Sequence, residues 1–136
     1  PDISMAVHQC ARFSQNPRLS HERAVKRIGR YLISTRDQGL IIRCDQDRSI
    51  LDIECFVDAD FAGMFSHEDK NDPHCVRLRT GFVIMMGGSP IVWKSNLQPI
   101  IASSTMESEY IALSQAMRET IPFMNLMMEV GKVFPL

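Results

Sequence analysis

The residues best placed to do chemistry are three carboxylates, Asp58, Asp60 and Glu109. From Leu51 to Phe61 the chain alternates strictly, with Leu51, Ile53, Cys55, Val57, Ala59 and Phe61 on one side and Asp52, Glu54, Phe56, Asp58 and Asp60 on the other. That period of two predicts a strand with one apolar face. Asp58 and Asp60 then share a side, with Cα atoms about 7 Å apart, so both carboxylates reach one region of space. Glu109 falls on the spacing Glu109, Ala112, Leu113, Ala116, which predicts a helical stripe turned toward a sheet. A carboxylate at the head of a buried stripe is costly unless something compensates it, and a metal ion shared with Asp58 would do so. The expectation is that Asp58 and Glu109 converge on one divalent cation, with Asp60 as a secondary ligand.

Two simpler readings compete. Asp on a strand and Glu on a helix are common surface residues, and only the strands between them set this pair apart. Asp58, Asp60 and Gly63 also occupy the first, third and sixth positions of an EF-hand loop. That loop fails because Ala62 stands where an oxygen ligand is needed, Asp69 replaces the bidentate Glu, and a strand pattern precedes it.

The elements that would position these acids follow from local signals. Gly63 ends the first strand, and residues 64–76, rich in Asp, Asn, His and Pro, read as an exposed loop. A second strand is predicted over Arg79 to Met86. Gly87-Gly88-Ser89-Pro90 turns the chain, and Ile91 to Lys94 returns as a third strand with Trp93 as a core anchor. A helix over 105 to 118 starts with the capping box Ser104-Thr105-Met106-Glu107. Past it, the run Phe123, Met124, Leu126, Met127, Met128 is apolar enough to leave greasy surface exposed, which predicts marginal solubility or association with a partner.

The net charge of −1 conceals a split. Residues 1–48 hold nine Lys/Arg against five Asp/Glu, near +4, and residues 49–136 hold six against eleven, near −5. In the basic part, Ile3, Ala6, Val7, Cys10, Ala11 and Phe13 predict one helix. After Asn16-Pro17, Ser20 offers an N-cap to a second helix with the stripe Ala24, Val25, Ile28, Tyr31 and Leu32. Its other face carries Arg23, Lys26, Arg27 and Arg30, which would neutralise phosphates without reading bases. Gly39 reads as its stop, and Leu40 to Cys44 as a short strand. The fold class is therefore mixed α/β (α+β). It comprises a helical hairpin over 1–48, then a three-stranded antiparallel meander and a helix over 49–136.

Composition is that of an ordinary globular chain, 45% hydrophobic and 23% charged. No apolar run reaches the roughly 18 residues of a membrane span, and the N-terminus has no signal-peptide pattern. The expectation is an intracellular, non-secreted product with no membrane association. Cys10, Cys44, Cys55 and Cys75 form no CxxC pair, and His67, His74 and Cys75 lack zinc-ligand spacing, so they read as reduced thiols. A first residue of Pro1 suits a piece of a polyprotein.

The motifs FVDADFAG, RTGFVIMMGGSPIVWKS and ASSTMESEYIALSQAMRE, in this order and at these distances, resemble the ribonuclease H region of copia-type retrotransposon polyproteins. PDISMAVHQCARFSQNP with HERAVKRIGRYL resembles the end of the reverse transcriptase before it. The resemblance covers nearly the whole chain and implies the first part of a ribonuclease H-like fold. It also implies cleavage of RNA in RNA/DNA hybrids by two magnesium ions, in a cytoplasmic virus-like particle, with no small-molecule cofactor. Hard oxygen ligands suit magnesium. Asp58 matches the first-strand acid, Glu109 the helix acid, and Asp60 a position that is acidic in copia-type members. The resemblance implies a third acid from a strand after this helix and a fourth from a later helix, yet no aspartate follows Asp72. The expectation is an incomplete site, with weak magnesium binding and no robust nuclease activity in this chain alone. The alternative is a non-catalytic module that binds nucleic acid or connects to the rest of the reverse transcriptase polyprotein.

Overall fold

The helical periodicity of the first forty residues produces α1 (Ser4–Ala11) and α2 (Leu19–Ser34) in a computed structural model that describes residues 2–43, 49, 52–60 and 77–134. By its contacts the chain forms two compact units, Pro1–Ile41 and Ile42–Leu136. In the first, Ser20 does not cap α2. The helix begins two residues earlier, with Arg18 as N-cap, and the Arg18 amide donates to His21 Nδ1 at 3.0 Å. The Phe13 ring stacks on His21 with centroids 4.2 Å apart, so the chain turns across the Asn16-Pro17 step on an aromatic contact. Tyr31 Oη donates to Asp2, tying the start of α1 to the last turns of α2. The buried stripe of α2 is narrower than its sequence predicts, since Ala24 and Ile28 are half-buried but Val25 and Leu32 are exposed. α2 also stops short of Gly39. The Thr35 amide and the hydroxyls of Ser34 and Thr35 all donate to the Tyr31 carbonyl, which closes the last turn. Residues 40–43 are not strand, and Cys44 lies outside the described residues.

The second unit is a three-stranded antiparallel sheet, β1 (Ile53–Asp60), β2 (Arg79–Met86) and β3 (Ser89–Leu97), in the order β1-β2-β3, with helix α3 (Thr105–Val133). β1 and β2 pair in continuous register from Ile53 opposite Met86 to Asp60 opposite Arg79. The loop between β2 and β3 is only two residues long. Gly87 and Gly88 both have positive φ, 55° and 81°, as a tight hairpin turn with the right twist demands. β3 is therefore longer than the predicted Ile91 to Lys94. Its register slips where Ile84 pairs with Val92 but Met85 pairs with Pro90, leaving Ile91 as the extra residue of a bulge beside a proline that has no N–H to give. The polar loop expected over 64–76 and the ends of the predicted first strand, Leu51 and Phe61, lie outside the described residues.

One face of the sheet is packed. Ile53, Cys55 and Val57 of β1, Phe82 and Ile84 of β2 and Val92 of β3 pack with Ala116 and Phe123 of α3, with Ile84 and Ala116 fully buried, and Ala59 is buried as well. Alternation from Val92, which pairs with Ile84, then puts Trp93 on the opposite face, where it is 38% exposed and not the core anchor its size suggests. Arg43 lies with this unit, and the Ser89 hydroxyl bridges its backbone, donating to the carbonyl at 2.7 Å and accepting from the amide at 3.0 Å.

α3 runs for 29 residues, well past the expected end at 118 and through Pro122. Its buried residues are Ser108, Ala112, Ala116 and Thr120, small side chains that let the helix lie close on the sheet. Strands of eight or nine residues span about 26–30 Å and a 29-residue helix about 43 Å, so the last third of α3 has no sheet beneath it. Nothing beyond Thr120 is fully buried among the described residues of α3. No helix among the described residues is long and apolar enough to cross a membrane.

Candidate metal centre and basic face

Because Ile53, Cys55, Val57 and Ala59 turn toward α3, Asp58 and Asp60 stand on the other face of β1, and both are exposed. Their cross-strand neighbours differ. Opposite Asp58 is Gly81, where an added Cβ would meet nothing within 4 Å, so the space beside this carboxylate is open. Opposite Asp60 is Arg79, 8% exposed, whose guanidinium is held by the Ser95 carbonyl at 3.2 Å and the Ser95 hydroxyl at 3.3 Å.

Glu109 is not at the head of the buried stripe. That place belongs to Ser108, and both Glu109 and Leu113 are exposed, since the stripe advances in steps of four from 108 to 120. The start of α3 is instead fastened by a buried polar knot with no sequence signature. Gln98, fully buried, donates through Nε2 to Thr80 Oγ1 at 3.2 Å and to the Ser108 carbonyl at 2.9 Å, and its own amide donates to the Leu78 carbonyl at 2.7 Å. Thr80 pairs with Ala59, the residue between the two aspartates. The knot therefore sets the first turns of α3 at the same end of the sheet as Asp58 and Asp60, with the aspartates on the far face. Among the described residues, no group of three or more His, Cys, Asp or Glu gathers into a metal-binding cluster.

What singles these acids out is their lack of partners. Glu22, Asp37, Glu119 and Glu129 are in ion pairs, Asp2 accepts from Tyr31, and Asp52 accepts from the Ser49 amide. Glu54 is engaged as well. Glu107 accepts from the Ser103 amide at 2.7 Å and the Ser103 hydroxyl at 2.6 Å. Among the described residues, only Asp58, Asp60 and Glu109 keep a carboxylate without a hydrogen bond or ion pair.

Glu107 has the structural task its capping box predicts, with one shift. Its amide donates to Ser104 Oγ at 3.1 Å, but its carboxylate reaches Ser103 rather than the cap residue itself. The Ser103 hydroxyl and then the Ser103 amide hold the Glu107 carboxyl below the usual carboxylate range. A carboxyl lowered on folding stabilises above its unfolded pKa, and that contribution disappears as pH falls through the folded value. Ser104→Ala is expected to cost about 1 kcal/mol, the usual worth of an N-cap. Glu107→Gln should melt below the parent at neutral pH, with the gap closing in acid. Thermal melts at pH 7 and in strong acid check both, and a pH-independent gap for Glu107→Gln would contradict the assignment.

On α2 the residues Arg23, Lys26, Arg27 and Arg30 are all exposed and fall within one 100° sector, away from half-buried Ala24 and Ile28. Lys26 is tied to Glu22 at 2.5 Å, and Arg27 borders a groove of about 500 Å³ between α1 and α2. Among the described residues the three arginines have no acidic partner.

The chain is 32% identical over 131 residues, 96% of its length, to the retrovirus-related Pol polyprotein from transposon RE1 of Arabidopsis thaliana. Over the same share it is 34% identical to that from transposon TNT 1-94 of Nicotiana tabacum. Over nearly its whole length it is similar to a stretch of copia-type retrotransposon Pol polyproteins. The chain spans only 8% and 9% of those two relatives. It is also 32% identical over 121 residues to the secreted RxLR effector protein 161 of Plasmopara viticola, of which it covers 78%. No protein-family profile matches this chain, and no solved structure does.

Proposed function

We propose that this chain supplies part of a retrotransposon ribonuclease H, with Asp58 and Glu109 as metal ligands, Asp60 beside them, and α2 as a phosphate-binding face for the RNA/DNA hybrid. The observation that carries this reading is the set of unpartnered carboxylates. Elsewhere the described acids are engaged, whereas these three stay open, Asp58 and Asp60 on the face of β1 away from α3 and Glu109 on the exposed side of α3. Oxygen-only donors of this kind fit magnesium, which takes carboxylates and water rather than imidazole or thiolate. Bound there, the metal would polarise the scissile phosphate and activate a water. The chain's own part is to hold carboxylates in place and to seat the backbone: Gly81 leaves room beside Asp58, and the Gln98 knot fixes the helix that bears Glu109. As no group of three or more acids gathers among the described residues, the chain alone binds magnesium weakly. Hybrid cleavage by the isolated chain is not robust.

The test is a magnesium titration and a hybrid-cleavage assay on the parent, Asp58→Asn and Glu109→Gln. Weak magnesium binding lost in both variants supports the metal site, and identical titrations in all three would remove it. Strong magnesium-dependent cutting that Asp58→Asn abolishes would overturn the claim of inactivity. A second reading, a non-catalytic nucleic-acid-binding or polymerase-connecting module, draws on the unpaired arginines of α2. Under it, hybrid binding persists without magnesium and in Asp58→Asn.

A further inference from the structure

α3 has a second apolar stripe that the sheet does not touch. Met106, Tyr110, Leu113, Met117, Ile121, Met124 and Met128 are all exposed, by 39 to 70%. They recur at intervals of four, three, four, four, three and four, so 22 residues cover six turns at about 3.67 per turn, and the stripe stays on one side of the helix. It runs between the sheet-facing residues and a polar flank of Ser114, Arg118, Asn125, Glu129 and Lys132.

The order of intervals reads the same in both directions about Met117. An isologous pairing requires a patch that is complementary to itself. With two α3 helices antiparallel and Met117 on the two-fold axis, Leu113 of one copy falls opposite Ile121 of the other. Tyr110 falls opposite Met124, and Met106 opposite Met128, so the apolar positions match along the whole length. The Tyr110 to Met124 pairs bring thioether against aromatic ring, a favourable contact. Charge also selects the antiparallel sense. A parallel pair would bring Glu107 and Glu109 of both copies to one end and align the helix dipoles, whereas an antiparallel pair separates the acids and opposes the dipoles. Side chains of this size offer on the order of 200 Å² each when fully exposed, so the stripe presents roughly 700 Å² per copy, close to the approximately 800 Å² per partner of a standard stable interface.

We propose that this chain forms an antiparallel homodimer through the exposed stripe of α3, with Met117 on the two-fold axis. Sedimentation equilibrium of the full chain, from low micromolar to hundreds of micromolar, should show reversible growth to twice the 15.5 kDa chain mass. Met117→Glu puts two carboxylates face to face and should weaken the dimer on the order of a hundredfold, with the circular dichroism spectrum unchanged. Met128→Glu, beyond the sheet-supported part of α3, serves if the first variant misfolds. Under mild oxidation Met117→Cys should cross-link to itself beyond the parent's own background. Met106→Cys should link only when mixed with Met128→Cys. A monomer at all concentrations overturns the proposal, as does a dimer indifferent to both glutamates, or a Met106→Cys chain that links to itself.

Discussion

Ile84→Ala is expected to destabilise the sheet unit by about 3 to 4 kcal/mol, the cost of a cavity where a fully buried branched side chain stood. Ile84 lies at the middle of the central strand, paired with Cys55 on one side and Val92 on the other, and it packs within the cluster that holds Ala116 of α3. Neither neighbouring strand can shift inward without breaking its register, so the cavity cannot collapse. Against a total stability of about 5–15 kcal/mol, this loss leaves a large unfolded fraction at 37 °C. Phe56 is the internal contrast. It is larger but 57% exposed on the opposite face of β1, and Phe56→Ala should cost under about 1 kcal/mol. Urea melts of the three chains measure the difference. Equal midpoint shifts for the two variants would mean that the core lies on the wrong face of the sheet.

The second large effect is on the hybrid binding proposed for α2. Arg23→Glu with Arg27→Glu and Arg30→Glu reverses three exposed charges that have no acidic partner among the described residues, and leaves Lys26 in its pair with Glu22. Each arginine that neutralises a phosphate adds nearly one unit to the slope of log affinity against log salt, so the triple variant should flatten that slope by about 3. At low salt the loss should reach about a hundredfold or more. Duplexes of unrelated sequence should be affected alike, because contacts to phosphate carry no base information. An unchanged salt slope, measured by fluorescence anisotropy on a labelled hybrid, would remove α2 from the interface.

Much of the sheet is legible from short-range pattern. Alternation sets which residues of β1 face inward, the bounds of β2 match those read from its apolar run, and two glycines mark the hairpin turn. The start of α3 is equally clear in Ser104 and Glu107. What escapes is whatever depends on contacts across the fold. Trp93 looks like a core residue by size, but its side is decided by the bulge at Ile91 and the pairing of Val92. Glu109 looks sheet-facing because Ala112 and Leu113 are both apolar. The sheet selects the smallest side chains instead, and steps of four through Ser108 and Thr120 displace Glu109 to the surface. Thr80, Gln98 and Ser108 are unremarkable polar residues in one dimension, and they become a buried knot only when a strand end meets a helix start. At the candidate site, the face that Asp58 and Asp60 occupy follows from the alternation of β1, whereas the surface position of Glu109 could not be read from the sequence.

The strand order leaves β1 with an outer edge unpaired among the described residues. Such an edge is a template for another chain to add to, through main-chain bonds that ask nothing of the sequence. Three of the eight residues of β1 are acidic, and stacking a second β1 in register would set like charges side by side. The carboxylates at 58 and 60 thereby also act as a guard against fibril growth. Chains neutralised at both positions should be more prone to open-ended stacking, so light scattering belongs beside any measurement of their activity.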